Sequence, residues 1–291
     1  MEKICFITGG NAGIGRAAAI QIASKGYRVI IGCRNLSRGQ EAVAYIKQIS
    51  QSEAVELVQI DLSLFHSIEQ CAEYLHTHFD HIDVLIHNAA IFDIAQKEPI
   101  FSSEGHETIW MTNHIGPVYL TSLVQDLVEK SDDGRVITIA SKGLLAMPGL
   151  RINLEDPEFR RRHFSVTKAY YQSKLAQIMF TYWLSSMPGI TANCIRVTAV
   201  KVDLDRHPNL SSFQKLVYRL KSKKTITPEQ MAETYLYLAT AQDLMHVSGK
   251  YFDEHGQIIH SGKYTCDQTA IENVKSLTEM FIKEHTHKLM Q

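Results

Sequence analysis

Residues 8–16 read Thr-Gly-Gly-Asn-Ala-Gly-Ile-Gly-Arg, directly after the short apolar run Lys3–Thr8 and directly before a helical pattern. A strand, a glycine-rich turn and a helix in that order make the context that a dinucleotide-binding loop requires. Glycine lets the backbone turn tightly and approach a pyrophosphate, while the exposed N–H groups and the helix dipole supply positive potential. The spacing Gly9-x-x-x-Gly13-x-Gly15 assigns Gly9, Asn11, Gly13, Ile14 and Gly15 to that phosphate. A glycine cluster alone also occurs in plain turns; its place between strand and helix favours the nucleotide.

Outward from this loop, β-branched runs alternate with longer amphipathic stretches, the pattern of βαβ units and a parallel sheet. The expected strands are Lys3–Thr8, Arg28–Cys33, Val55–Ile60, Val84–His87, Val136–Ala140 and Ala192–Val197. Several are apolar throughout, as strands covered on both faces are. Arg16–Ser24, Ser37–Ile49, Phe65–His78 and Tyr170–Leu184 are the expected crossover helices. With no internal repeat and no low-complexity linker, residues 1–291 read as one α/β domain, a doubly wound Rossmann-type sheet with helices on both faces. Residues 199–227, rich in Ser and Lys around Pro208, are expected to form a substrate lid. Residues 268–288 carry Ile271, Val274, Leu277 and Phe281 on one stripe and are expected to dock as a helix.

The 291 residues are 45% hydrophobic and 21% charged, with 30 Lys plus Arg against 31 Asp plus Glu, so no positive surplus drives binding to nucleic acid. No stretch approaches the roughly 20 apolar residues that cross a bilayer, and the N-terminus lacks the longer apolar region of a signal peptide. The five cysteines are scattered, without a Cys-x-x-Cys pair, and read as thiols of a reducing, cytoplasmic compartment. The histidines, His76, His78 and His81 among them, have no accompanying acid or cysteine cluster, so no metal is expected. His87 and His114 adjoin motif residues, and packing is the simpler role for both. Arg160-Arg-Arg162 lies beside Glu155, Asp156 and Glu158 and reads as a solvated charged insertion.

The end of the second strand bears on which dinucleotide binds. An acidic residue there would bond the ribose 2′-hydroxyl of NAD, whereas arginine can pair with the 2′-phosphate of NADP. The chain has Cys33-Arg34-Asn35 with Arg38 a turn later, which favours NADP(H) over NAD(H); the alternative for Arg34 is a plain exposed strand-end charge. Asp61-Leu62 is placed to contact the adenine edge, and Asn88-Ala89-Ala90 to pass close to the nucleotide. In isolation each is also an ordinary turn or cap.

Tyr170 and Lys174 stand four apart in a helical stretch, so they share one face. A phenol of pKa near ~10 is a poor acid or base at neutral pH unless a nearby cation favours the phenolate, which Lys174 can supply. Tyr171 has Leu175 at the same offset and lacks that lysine. The strand Val136–Ala140 delivers Ser141 at its C-terminal end, where open α/β sheets bind ligands and a hydroxyl can bond a substrate carbonyl. Asn113 can hold a water for a proton relay to Lys174, or cap or kink its helix.

In this order the motifs resemble those of the short-chain dehydrogenase/reductase family, and the resemblance covers nearly the whole chain. It implies a Rossmann-type fold and reversible hydride transfer between NAD(P) and a carbonyl or alcohol. Tyr170 would be the general acid/base, Lys174 would lower its pKa and hold the nicotinamide ribose, Ser141 would orient the carbonyl, and Asn113 would support the relay. The stretch between Ser141 and Tyr170 is longer than usual for the family. With Ile152-Asn-Leu-Glu-Asp156, Lys168–Ala176, Gly32–Asn35 and Gly249–Phe252, it is similar to the retinol dehydrogenase and protochlorophyllide reductase branch. That branch implies NADPH and a small apolar retinal-, steroid- or xenobiotic-like substrate. The segment Leu144–Leu150 either lines such a pocket or packs in the core.

One segment departs from the family. Where Pro-Gly and a carboxamide-binding threonine are usual, this chain has Thr198-Ala199, with Val200 and Asp203 as the residues expected near the nicotinamide. A carboxylate accepts from the amide N–H₂ but cannot donate to its oxygen. The competing expectation is therefore an NADP(H)-binding regulatory or scaffold protein with little catalysis. Expected partners are a small carbonyl or alcohol and, at most, a second copy of the chain.

Overall fold

The computed structural model describes residues 2–200 and 225–289. Strands β1 (Ile4–Thr8), β2 (Arg28–Cys33), β3 (Val55–Gln59) and β4 (Val84–His87) alternate with helices α1 (Gly13–Ala23), α2 (Leu36–Ser50) and α3 (Phe65–His78). Next, α4 (Thr108–Trp110), a π-helical turn (Met111–Ile115) and α5 (Gly116–Glu129) run on without a break, and a turn then leads to β5 (Arg135–Ser141). A 3₁₀ turn (Lys142–Ala146), α6 (Val166–Leu184) and β6 (Thr191–Val197) follow. Beyond the lid expected at 199–227, most of which lies outside the described residues, come α7 (Pro228–Thr240), β7 (Lys250–Phe252), β8 (Ile258–Ile259) and α8 (Gln268–Leu289).

The strands form one sheet of order β3-β2-β1-β4-β5-β6-β7-β8. Pairing is parallel except for β8 on β7. The order reverses between β1 and β4, which makes their C-terminal ends the switch point where ligands bind in such sheets. Alternation along β1 divides the core: Cys5 and Ile7 face α1, α2 and α7, with Ile22, Ile46 and Tyr235. Ile4 and Phe6 face α3, α5, α6 and α8, with Leu75, Leu120, Phe180 and Phe281. Ile271, Val274, Leu277 and Phe281 of α8 are all buried on this second layer.

Each strand expected from the sequence is present, its ends shifted by no more than a residue. Two helices begin earlier than their apolar periodicity. Helix α6 starts at Val166 because Ser165 caps it, its side chain accepting from Lys168 N, and α1 starts inside the glycine loop. The short β7 and β8 carry too few residues for a periodic signal. The charged insertion is less solvated than its composition suggests. Asp156 is buried and accepts from the backbone N–H groups of Arg160, Arg161 and Arg162, so this acidic residue orders the arginine run.

His87 and His114 are packing residues. Each is buried, with Nε2 2.7 Å from a threonine hydroxyl, Thr121 for His87 and Thr278 for His114. Burial pushes both imidazoles down to about 3. A base whose folded pKa lies below its unfolded value near ~6.5 takes up fewer protons when folded. Its contribution is whole above that value and is lost as pH falls toward 3, at roughly 1 kcal/mol per pH unit for each ring. Urea midpoints are therefore expected to fall between pH 6.5 and 4.5, and less steeply in the double variant His87→Gln/His114→Gln. An equally steep fall in that variant would contradict this origin.

Candidate active site

The glycine loop leaves room for a phosphate by excluding side chains. Gly9 adopts φ +67°, and a Cβ there would come within 2.9 Å of Ala89 Cα. A Cβ on Gly15 would stand 2.4 Å from Asn88 Nδ2 and 2.6 Å from the Gly9 carbonyl oxygen. Gly13 adopts φ +56° and opens α1, whose N-cap Ala12 offers no side-chain hydrogen bond and whose first turn holds no acid. That helix end presents N–H groups to an anion without a competing carboxylate.

A cavity of about 370 Å³ lies over the loop, lined by Gly9, Asn11 and Ala12, by Arg34, Asn35 and Arg38, and by Asn88–Ile91. Ile14 packs partly into the apolar layer beneath and, like Gly13 and Gly15, begins the helix without lining the cavity. The Arg34 and Arg38 side chains are exposed and have no acidic partner among the described residues, while Asn35 caps α2 by accepting from Arg38 N at 2.9 Å. Leu62 lines the cavity but Asp61 does not: Asp61 Oδ1 accepts from Ser63 N at 2.9 Å and from Ser63 Oγ at 2.6 Å. Asn88 also has a structural duty, donating from Nδ2 to the carbonyls of Thr8 and Gly9 and accepting from the Tyr235 hydroxyl. Thr112, another lining residue, has a buried hydroxyl without a partner among the described residues. A glycine cradle, an uncapped helix end, an orphan hydroxyl and two unpaired guanidinium groups together fit a phosphorylated dinucleotide.

Beside this cavity, β5 ends at Ser141, and the first half of α6 brings Tyr170, Tyr171 and Lys174 against it. Tyr170 is pushed up to about 12 by burial, with the Ser141 hydroxyl pulling the other way. Lys174 is buried and pushed down to about 8 by burial; its Nζ lies 5.6 Å from the centre of the Tyr170 ring and donates to the Ile139 carbonyl at 2.9 Å. The Ser141 hydroxyl thus favours the Tyr170 phenolate against the burial that disfavours it. Tyr170 stays protonated across the neutral range and can donate to an oxygen held by Ser141.

The amide of Asn113 is differently employed from the expected relay toward Lys174. In the π-helical turn, its Oδ1 accepts from Ile91 N at 2.7 Å and its Nδ2 donates to Ile91 O and Ser173 Oγ, both at 3.1 Å. It ties the loop after β4 to α6. Val200 pairs with Ile226 in an isolated parallel bridge and does not line the cavity, and Asp203 lies outside the described residues.

Two residues here escape a sequence reading. Tyr171 lacks a lysine at the next turn, yet its hydroxyl stands where a Gly143 Cβ would come within 2.0 Å, and burial pushes this phenol up while Ser141 pulls the other way. Phe92, from the loop after β4, has its ring centre 4.4 Å from that of Tyr170. The doublet Tyr170-Tyr171 was the available signal for the first; a loop phenylalanine offers none.

The family profile described as short chain dehydrogenase matches residues 3–150. Human retinol dehydrogenase 13 is 31% identical over 261 residues, covering 86% of this chain and 76% of that protein. The WW domain-containing oxidoreductase of Gallus gallus is 30% identical, covering 97% of this chain and 68% of that protein. Among solved structures, a short chain dehydrogenase from Salmonella enterica superposes with a TM-score of 0.66 at 22% identity, over 87% of this chain and 96% of that one. One from Shigella flexneri, complexed with NADP, gives 0.65 at 22% identity, over 87% and 97%. Both share the fold. The glycine loop at the β1–β4 switch point, with Ser141, Tyr170 and Lys174 beside it, therefore stands in a chain that belongs to the short-chain dehydrogenase family of nucleotide-binding oxidoreductases.

Proposed function

We propose that the chain uses NADP(H) and interconverts a small apolar carbonyl compound and its alcohol. The observation that carries this reading is the convergence of Ser141, Tyr170 and Lys174 beside a cavity that offers Arg34 and Arg38, neither with an acidic partner among the described residues. The glycine loop and the α1 N-terminus would hold the pyrophosphate, and Arg34 with Arg38 a 2′-phosphate. The bound nicotinamide supplies or accepts the hydride. Ser141 orients the carbonyl oxygen, and Tyr170 gives it a proton or takes one back. Lys174, released from Ile139, would steady the ribose and offer its charge to Tyr170. NADP in the Shigella flexneri relative supports the cofactor choice, and the retinol dehydrogenases support an apolar substrate.

The segment Leu144–Leu150 supports the same substrate chemistry. The stretch is mixed, with Leu145 67% exposed and Leu144 and Leu150 partly buried against the core. It lines a cavity next to Ser141.

Three measurements test the reading. Tyr170→Phe is expected to lower kcat by about 100-fold or more in an NADPH absorbance assay with apolar aldehydes while NADPH still raises its Tm. Full turnover would remove Tyr170 from the chemistry, and thermal stabilisation of the wild type without turnover on any carbonyl would leave a binding role. Arg34→Asp is expected to weaken NADPH by about 10- to 100-fold and NADH little, by loss of a charge-assisted contact. Equal loss for both would refute the 2′-phosphate assignment. Lys174, charged below about 8, should lend its charge only below that pH. Carbonyl reduction is thus expected to decline as pH rises through that region, and Lys174→Arg, which stays charged, to move the decline upward. An unmoved decline would assign it elsewhere.

A further inference from the structure

A second cavity, of about 360 Å³, opens on Ser141 from the side of β7 and the loop before α8. This is within the roughly 300–1,000 Å³ range of small-molecule sites. Its inner wall is apolar: Leu144, Leu145, Met147 and Leu150 from the segment after β5, and Leu175 from α6. Its charged lining is of one sign. Arg151, Arg196 and Lys263 face it, and no aspartate or glutamate lines it among the described residues.

The nearest anion is spoken for. Glu254 carries two cations at once, Arg196 Nη2 at 2.9 Å and Lys142 Nζ, so that cluster remains net positive. Arg196 also keeps a buried Nε–H without a hydrogen-bond partner among the described residues. The Arg151 guanidinium carbon lies over the Tyr264 ring, 5.0 Å from its centre, a contact that holds it at the cavity without neutralising it. Neither Arg151 nor Lys263 has an acidic partner among the described residues. A purely hydrocarbon substrate uses the leucines and leaves these cations idle.

We propose that this cavity receives the tail of the substrate and that the tail ends in a carboxylate: an amphipathic carbonyl or alcohol, its reacting oxygen at Ser141, its chain along Leu144–Leu150, its carboxylate among Arg151, Arg196 and Lys263. This rests on Ser141 facing the reacting carbonyl. It adds the charged end, which an apolar pocket alone does not require.

Calorimetric titration of decanoate and of decan-1-ol into the full chain tests the tail site without relying on turnover. Decanoate is expected to bind about tenfold more tightly at low salt, with the advantage shrinking as salt screens the rim cations. In the exposed double variant Arg151→Gln/Lys263→Gln the two dissociation constants are expected to converge. Leu175→Trp, which fills the inner wall, is expected to weaken both ligands. Equal affinity for the two ligands in the wild type, or an advantage of decanoate that survives the double variant, would overturn the proposal. Reduction of 10-oxodecanoate and of its methyl ester with NADPH then separates the two readings. A lower KM for the acid supports both, whereas selective binding without turnover of either compound contradicts hydride transfer and leaves the tail site standing on its dissociation constants.

Discussion

The site depends on how closely β1 and β4 can approach where the strand order reverses. Gly9 and Gly15 meet Ala89 and Asn88 at distances that admit a hydrogen atom but no methyl group. Asn88 then fastens the two strand ends by donating to the Thr8 and Gly9 carbonyls, and the Thr8 hydroxyl receives Ala89 N at 3.1 Å. Part-buried amide hydrogen bonds of this kind are costly to leave unmade, so the crevice is held at one width. With that width set, the end of α1 points into open space and β5 delivers Ser141 on the other side.

Burial, more than direct ion pairing, sets the proton chemistry. Tyr170 and Lys174 are shifted in opposite directions by the same loss of water, up to about 12 for the phenol and down to about 8 for the amine. Desolvation disfavours whichever form is charged, which separates a carrier that keeps its proton from one that can lose it near neutrality. The lysine is parked on a β5 carbonyl, which satisfies its ammonium until a ligand draws it away. The two faces of Ser141 complete the arrangement: one meets the phenols, and the other opens on an apolar cavity with a cationic rim.

The glycine loop and the buried strands were legible in the sequence because each obeys a local rule. Tight turns need glycine, and doubly covered strands need unbroken apolar runs. What the sequence left hidden is settled by contacts between distant segments. Asn113 looked like a relay residue, but whether its amide faces Lys174 or Ile91 depends on a π-helical turn that no periodicity reports. Asp61 stands beside a cavity residue yet turns to Ser63. Tyr171 becomes interesting only once Gly143 is folded beneath it. For Leu144–Leu150 composition allowed pocket or core equally, and the fold uses both: the segment lines a cavity while Leu144 and Leu150 also pack against the core.

The proposed chemistry passes hydride between nicotinamide and a carbonyl held by Ser141 and Tyr170. Its most direct measurement is isotopic: NADPH deuterated at the transferable C4 position is mixed with an apolar aldehyde and the full chain, and the alcohol is weighed by mass spectrometry. One deuterium is expected in the alcohol with the wild type and none above background with Tyr170→Phe. Unlabelled alcohol from the wild type, or equal labelling with both proteins, would contradict it.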